Sequence, residues 1–127
     1  MKEIVRERAG ERCEYCRMPQ KAHLLTFPID HIIARQHGGP TTLENLALSC
    51  VRCNSYKGPN ISGMDPFTEE MTRLFHPRTD IWDEHFQLVG ANIKGLSGVG
   101  RTTVSLMQMN HPDYIALRES LIAEDMF

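Results

Sequence analysis

The chain has 127 residues, 41% hydrophobic and 24% charged, with nine glycines and seven prolines. That is enough for one packed domain and short of what two independent cores require. A net charge of −2 excludes a uniform basic coat, but the charge is unevenly spread: residues 1–63 hold nine Lys/Arg against six Asp/Glu, and residues 64–127 hold five against ten. A polyanion would therefore meet the first half. No apolar run approaches membrane-spanning length, and the opening Met1-Lys2-Glu3-Ile4-Val5-Arg6 lacks the apolar stretch of a secretory leader, so a cytoplasmic protein that does not associate with membranes is expected.

In chain order, Lys2 to Ala9 predicts a short helix ended by Gly10, with Ile4 and Val5 inward,. Cys13-Glu14-Tyr15-Cys16 follows as a knuckle short enough for both sulfurs to reach one ion. β-branched and aromatic residues over 25–32 predict a strand, with Pro28 at an edge or bend. Gly38-Gly39-Pro40 opens a loop that Asn45 closes, Leu46 to Leu48 reads as a second strand, and Val51 to Lys57 as a helix stopped by Gly58-Pro59,. Asn60 to Pro66 reads as a connector, Glu69 to Phe75 as a helix, His76 to Arg78 as a turn and Trp82 to Phe86 as an aromatic anchor in the core. Phe86 to Val89 and Asn92 to Leu96 read as a hairpin. Val99 to Met109 and Pro112 to Ala123 read as helices, the last with Tyr114, Leu117 and Leu121 on one core-facing stripe. The glycine-rich run Gly95 to Arg101 lacks the Gly-Lys-Ser/Thr ending of a phosphate loop and reads as a hairpin-to-helix turn.

The most specific chemical signal is the pair of Cys-x-x-Cys motifs, Cys13/Cys16 and Cys50/Cys53. Their two-plus-two spacing suits tetrahedral Zn2+ in a reducing compartment, and four sulfurs close the coordination sphere, so this metal would be structural. Between the pairs lies Asp30-His31, and one residue beyond the last cysteine lies Asn54. Asp30 and Asn54 offer two oxygen ligands of the kind that select a hard divalent ion, and His31 offers a general base. Adjacent strand residues point to opposite faces, so Asp30 and His31 can share a phosphate only where the strand ends, bends or bulges. Lys57, Arg35, Arg52 and His37 are the candidate substrate contacts.

The run from Cys13 to Lys57, with Asp30-His31, Asn45 and Cys50-x-x-Cys53-Asn54-x-x-Lys57, resembles the HNH endonucleases. The resemblance implies an α+β fold with a ββα-metal, or His-Me finger, core stapled by a four-cysteine zinc knuckle. Residues 1–63 would form the nuclease core, and residues 64–127 an accessory hairpin and helices packed on it. It further implies hydrolysis of DNA, single-stranded or structured forms included, by a one-metal mechanism leaving 5′-phosphate and 3′-hydroxyl ends. His31 would be the general base, Asp30 and Asn54 would hold catalytic Mg2+ or Mn2+, Asn45 would support the loop and orient the histidine, and Lys57 would contact the phosphate. Asparagine rather than histidine at position 54 is a family variant. Leu74-Phe75-His76-Pro77-Arg78, Trp82 to Phe86 and Gly100 to Val104 resemble the tail of small bacterial members. The alternative is a zinc-stabilised nucleic-acid-binding module without cleavage activity.

Overall fold

The computed structural model describes residues 1–127. Helix α1 (Lys2–Arg8) buries Val5, while Ile4, expected inward, stands exposed. The Arg8 guanidinium donates to the carbonyls of Leu43 and Leu46, which fixes α1 against the entry to the second strand. Strand β1 (Ile29–His31) runs antiparallel to β2 (Leu46–Leu48), with Ile29 opposite Leu48, Asp30 opposite Ala47 and His31 opposite Leu46. Helix α2 (Val51–Lys57) follows directly. Strand, long loop, strand and helix thus form a ββα unit.

β1 is shorter than the strand expected over 25–32 because a side chain satisfies the backbone ahead of it. The Gln20 amide donates to the Leu25 carbonyl at 2.9 Å and accepts from the Phe27 N–H at 2.7 Å, leaving Leu24 and Leu25 exposed and Phe27 buried. The ladder can begin only after Pro28, which has no N–H to give it.

The second half departs from expectation at its start. The connector and helix expected over Asn60 to Phe75 are instead a hairpin of β3 (Ser62–Met64) and β4 (Met71–Arg73). Asp65 makes the turn: its Oδ1 accepts from the Phe67 N–H at 2.9 Å, its own N–H bonds the Glu70 carbonyl at 2.9 Å, and Arg101 grips the carboxylate through two bonds of 3.1 and 2.8 Å. A carboxylate that caps a turn and is held by a distant arginine stabilises the hairpin over local helix propensity. These bonds also hold the Asp65 carboxyl at about 2, below its ordinary range, the Arg101 guanidinium foremost.

One helical turn, α3 (Trp82–His85), leads into the hairpin β5 (Phe86–Val89) and β6 (Asn92–Gly95). Helix α4 (Gly98–Leu106) is capped by the Ser97 hydroxyl, and α5 (Pro112–Ala123) by the His111 ring. The glycine-rich run before α4 is a packing device: a Cβ on Gly100 would lie 1.9 Å from the His85 carbonyl oxygen, so only glycine lets α4 approach α3,. One core takes residues from both halves, among them Val5, Phe27, Leu46 and Leu48 with Leu74, Phe75, Phe86, Ile93, Met107 and Leu121. Phe86 packs edge-to-face on Phe75 and tilted against Trp82, at centroid distances of 5.1 and 5.0 Å. Tyr114 and Leu121 of the expected α5 stripe are buried, and Leu117 packs partly buried beside them. No helix is long and apolar enough to cross a membrane.

The loop between β1 and β2 is held by one side chain and one close approach. Asn45, buried, accepts from the Ile33 N–H at 2.9 Å and donates to the carbonyls of Ile33 and Pro40 at 3.0 and 2.8 Å. A Cβ on Gly39 would meet the Ile33 carbonyl oxygen at 1.7 Å and the Asn45 amide nitrogen at 2.9 Å. Gly39→Ala therefore displaces the loop, and is expected to cost about 2 kcal/mol, read as a lower urea midpoint; an unchanged midpoint would mean that the loop is not held there.

Candidate active site and metal centre

Both knuckles converge. The sulfurs of Cys13, Cys16, Cys50 and Cys53 all lie within 4.8 Å of one another in fully buried positions, and Cys16 and Cys50 are 3.7 Å apart. Tetrahedral zinc with Zn–S bonds of about 2.3 Å has sulfur–sulfur edges of about 3.8 Å, so the set can hold such an ion. The donor chemistry agrees. Hydrogen bonds with Cys13 and the other thiols push Cys50 down and push Cys16 and Cys53 up, as expected of sulfurs that cannot all ionise side by side without a cation among them,. The N–H groups of Cys16 and Cys53 donate to Cys13 and Cys50 at 3.4 and 3.3 Å, and the Tyr114 hydroxyl donates to Cys50 at 3.1 Å.

Helix α2 distributes its faces from this anchor. Cys53 and Lys57, four residues apart, turn inward,. Asn54 and Gly58 border an open recess of about 340 Å³, together with Asp30, His31, Arg35 and Gln36. Arg52 and Tyr56 lie on another side. Asp30 and His31 reach one recess because β1 ends at His31: Asp30 points inward and is 5% exposed, whereas His31 is half-exposed, its Nε2 2.9 Å from the Thr41 hydroxyl. In the tautomer whose Nε2–H donates to Thr41, Nδ1 carries the lone pair that can accept a proton.

Asp30 sits in a buried network. Its Oδ2 accepts from the Tyr15 hydroxyl at 2.7 Å, and the Lys57 ammonium lies 3.3 Å from Oδ1, 3.2 Å from Oδ2 and 3.2 Å from the His31 carbonyl oxygen. Burial pushes the Asp30 carboxyl above its ordinary value, and the Lys57 charge and the Tyr15 hydrogen bond offset this only in part. Burial, the Asp30 charge and the same hydrogen bond push Tyr15 well up, so it stays a donor at every physiological pH,.

Three expected substrate contacts lie elsewhere. Lys57 is 1% exposed and engaged with Asp30, so it does not reach a phosphate; as the residue one turn beyond Cys53 it falls on the helix's inward side. Arg52 does not border the recess: its guanidinium lies 5.7 Å from the Tyr56 ring and 5.1 Å from the Tyr114 ring, in a cleft with His23. His37, exposed at the end of a short 3-10 turn, does not border the recess either. Asn45 bonds only backbone of the loop and acts on the site through it. Arg35 remains at the rim, exposed.

Sequence reasoning missed Tyr15, Thr41 and the anchoring of the first knuckle. Glu14 accepts from the Leu48 N–H at 2.8 Å and pairs with Arg78, and the Trp82 indole donates to the Tyr15 carbonyl at 2.8 Å. Arg78 and Trp82 thereby fasten the second half to the knuckle. Burial lowers the Arg78 guanidinium to about 10.

The HNH endonuclease family model matches residues 13–60, the span from the first knuckle through α2. Over 118 residues the chain is 25% identical to the Septu protein PtuB of Bacillus thuringiensis, a match covering 91% of this chain and 43% of that protein. The chain thus spans less than half the length of the curated relative it matches. No solved structure matches it significantly. The α+β class, with an HNH segment and a four-cysteine cluster able to form a zinc site, is as expected from the sequence.

Two stability outcomes follow. Cys50→Ser removes a sulfur shared by the cluster, the α2 cap and Tyr114; the purified variant is expected to lose bound zinc and native circular dichroism together, and a folded variant with full zinc would refute the staple. Asn45→Ala leaves two carbonyls and one N–H without partners and is expected to cost about 3 kcal/mol in chemical denaturation.

Proposed function

We propose that the HNH segment makes this chain a metal-dependent endonuclease that hydrolyses phosphodiester bonds of DNA, with residues 1–63 as its core and residues 64–127 as an accessory half packed on it, working in the cytoplasm. The observation that carries the reading is one open recess of about 340 Å³ bordered at once by His31, Asp30 and Asn54. The HNH match over residues 13–60 supports it.

In this reading His31, its Nε2–H held by Thr41, takes a proton at Nδ1 from the water that attacks phosphorus,. Asp30 and Asn54 would hold a divalent ion, Mg2+ or Mn2+. Such an ion, when bound, would supply Lewis-acid stabilisation of the charge on the phosphate and the leaving 3′ oxygen. Arg35 at the rim steers and grips the backbone,. Zinc in the four-thiol cluster has no open position and takes no part in the chemistry. Lys57 balances the charge of Asp30 from below.

One observation favours a second reading, a zinc-stabilised nucleic-acid binder that does not cut: the Asp30 carboxylate already faces a buried ammonium at 3.2 Å, and a second cation must share it. A plasmid assay separates the two. The wild-type protein is expected to nick supercoiled DNA with Mg2+ or Mn2+ and to stop with EDTA. His31→Ala is expected to lose about 100- to 10,000-fold in rate while keeping its zinc and its fold. Binding without any nicking under either ion would select the second reading.

A further inference from the structure

Tyr15 lies between the two cysteines of the first knuckle, is fully buried, and spends its hydroxyl on the carboxylate that borders the recess. A carboxylate has about four acceptor sites; Tyr15 takes one on Oδ2 and Lys57 spans both oxygens, so at least one site is left for an ion in the recess. The two donors differ in kind. Lys57 is a positive charge that an entering dication must face, and its contact with Asp30 weakens as the dication binds. Tyr15 is a neutral donor and does not compete, so its bond persists through binding and keeps the carboxylate from turning. Its own position is set from behind: its two neighbours one step away are Glu14, paired with Arg78, and Cys16 of the cluster, and its carbonyl is held by the Trp82 indole at 2.8 Å.

We propose that Tyr15 is a positioning residue for the catalytic cation: it carries the constraint of the thiol cluster and of the Trp82 contact to Asp30, and so sets the affinity of the recess for a hard divalent ion. This rests on the nuclease reading of the recess. Removing an outer partner of a metal-holding carboxylate commonly weakens metal binding by about 10- to 100-fold.

Mn2+ binding to the zinc-loaded protein, followed by electron paramagnetic resonance of the free ion, tests it with no substrate present. Tyr15→Phe, which keeps the ring and deletes only the hydroxyl, is expected to weaken Mn2+ binding by about 10-fold or more, with zinc stoichiometry and melting temperature near those of the wild type. In the cleavage assay, the Mg2+ concentration for half-maximal rate rises, while the rate at saturating ion falls much less. Unchanged Mn2+ affinity in a folded Tyr15→Phe protein overturns the proposal, as does a loss of Mn2+ affinity seen only together with loss of zinc, since that is a merely structural role. Should Tyr15→Phe not fold, Trp82→Phe tests the same link from its far end, and unaltered Mn2+ affinity there is equally fatal. A wild-type protein that takes up no Mn2+ at all overturns the reading of the recess itself, an outcome distinct from equal binding by wild type and variant.

Discussion

The gathering of four buried thiols at one point is the constraint from which the remaining geometry follows. It joins segments whose cysteines are 34 residues apart, and the span between them contains both strands, the loop and the histidine. Closing so long a loop costs conformational entropy that two three-residue strands cannot supply. A metal held by the four thiols would supply it, since binding free energy at a site absent from the unfolded chain is folding free energy. The short strands and the single helix can then be sparse in apolar contacts and still hold one arrangement.

Within that frame the first knuckle is used at every position. Its two sulfurs enter the cluster, Glu14 ties β2 to Arg78, and Tyr15 faces Asp30 on one side and Trp82 on the other. Asp30 and Lys57 form a buried ion pair whose desolvation is unfavourable and whose separation would leave an uncompensated charge,. Such a pair is a poor source of stability and a good means of fixing where a carboxylate stands. A polar site gains from that fixity more than from any added burial.

Much of this was legible in the sequence because it is local. Cysteine spacing reports what two sulfurs can reach, glycine and proline mark the loop, and the ββα order follows from three short apolar segments and their stops. Asp30, His31 and Asn54 border one recess, and β1 ends at His31. What sequence hid is non-local or ambiguous in direction. The β3–β4 hairpin depends on Arg101, 36 residues beyond Asp65. Lys57 carries a charge, and charge argued for the surface; its helical phase relative to Cys53 argued for the interior, and phase won. Arg52 pairs with Tyr56 four residues on, a contact that position alone could have suggested. Tyr15 was concealed by the motif around it, and nothing in the alternation of residues marks Thr41 as the partner of His31.

The hydroxyl that Tyr114 lends to the Cys50 sulfur comes from 64 positions further along the chain. On a ribosome adding about 5–20 residues each second, that interval is roughly 3–13 seconds. Throughout it the sulfur exists without the group that later covers it, and a nascent thiolate with no such cover is the form most open to oxidants and to competing metals. Assembly of this small protein is therefore ordered in time as well as in space, with its thiol cluster covered only when a late helix arrives.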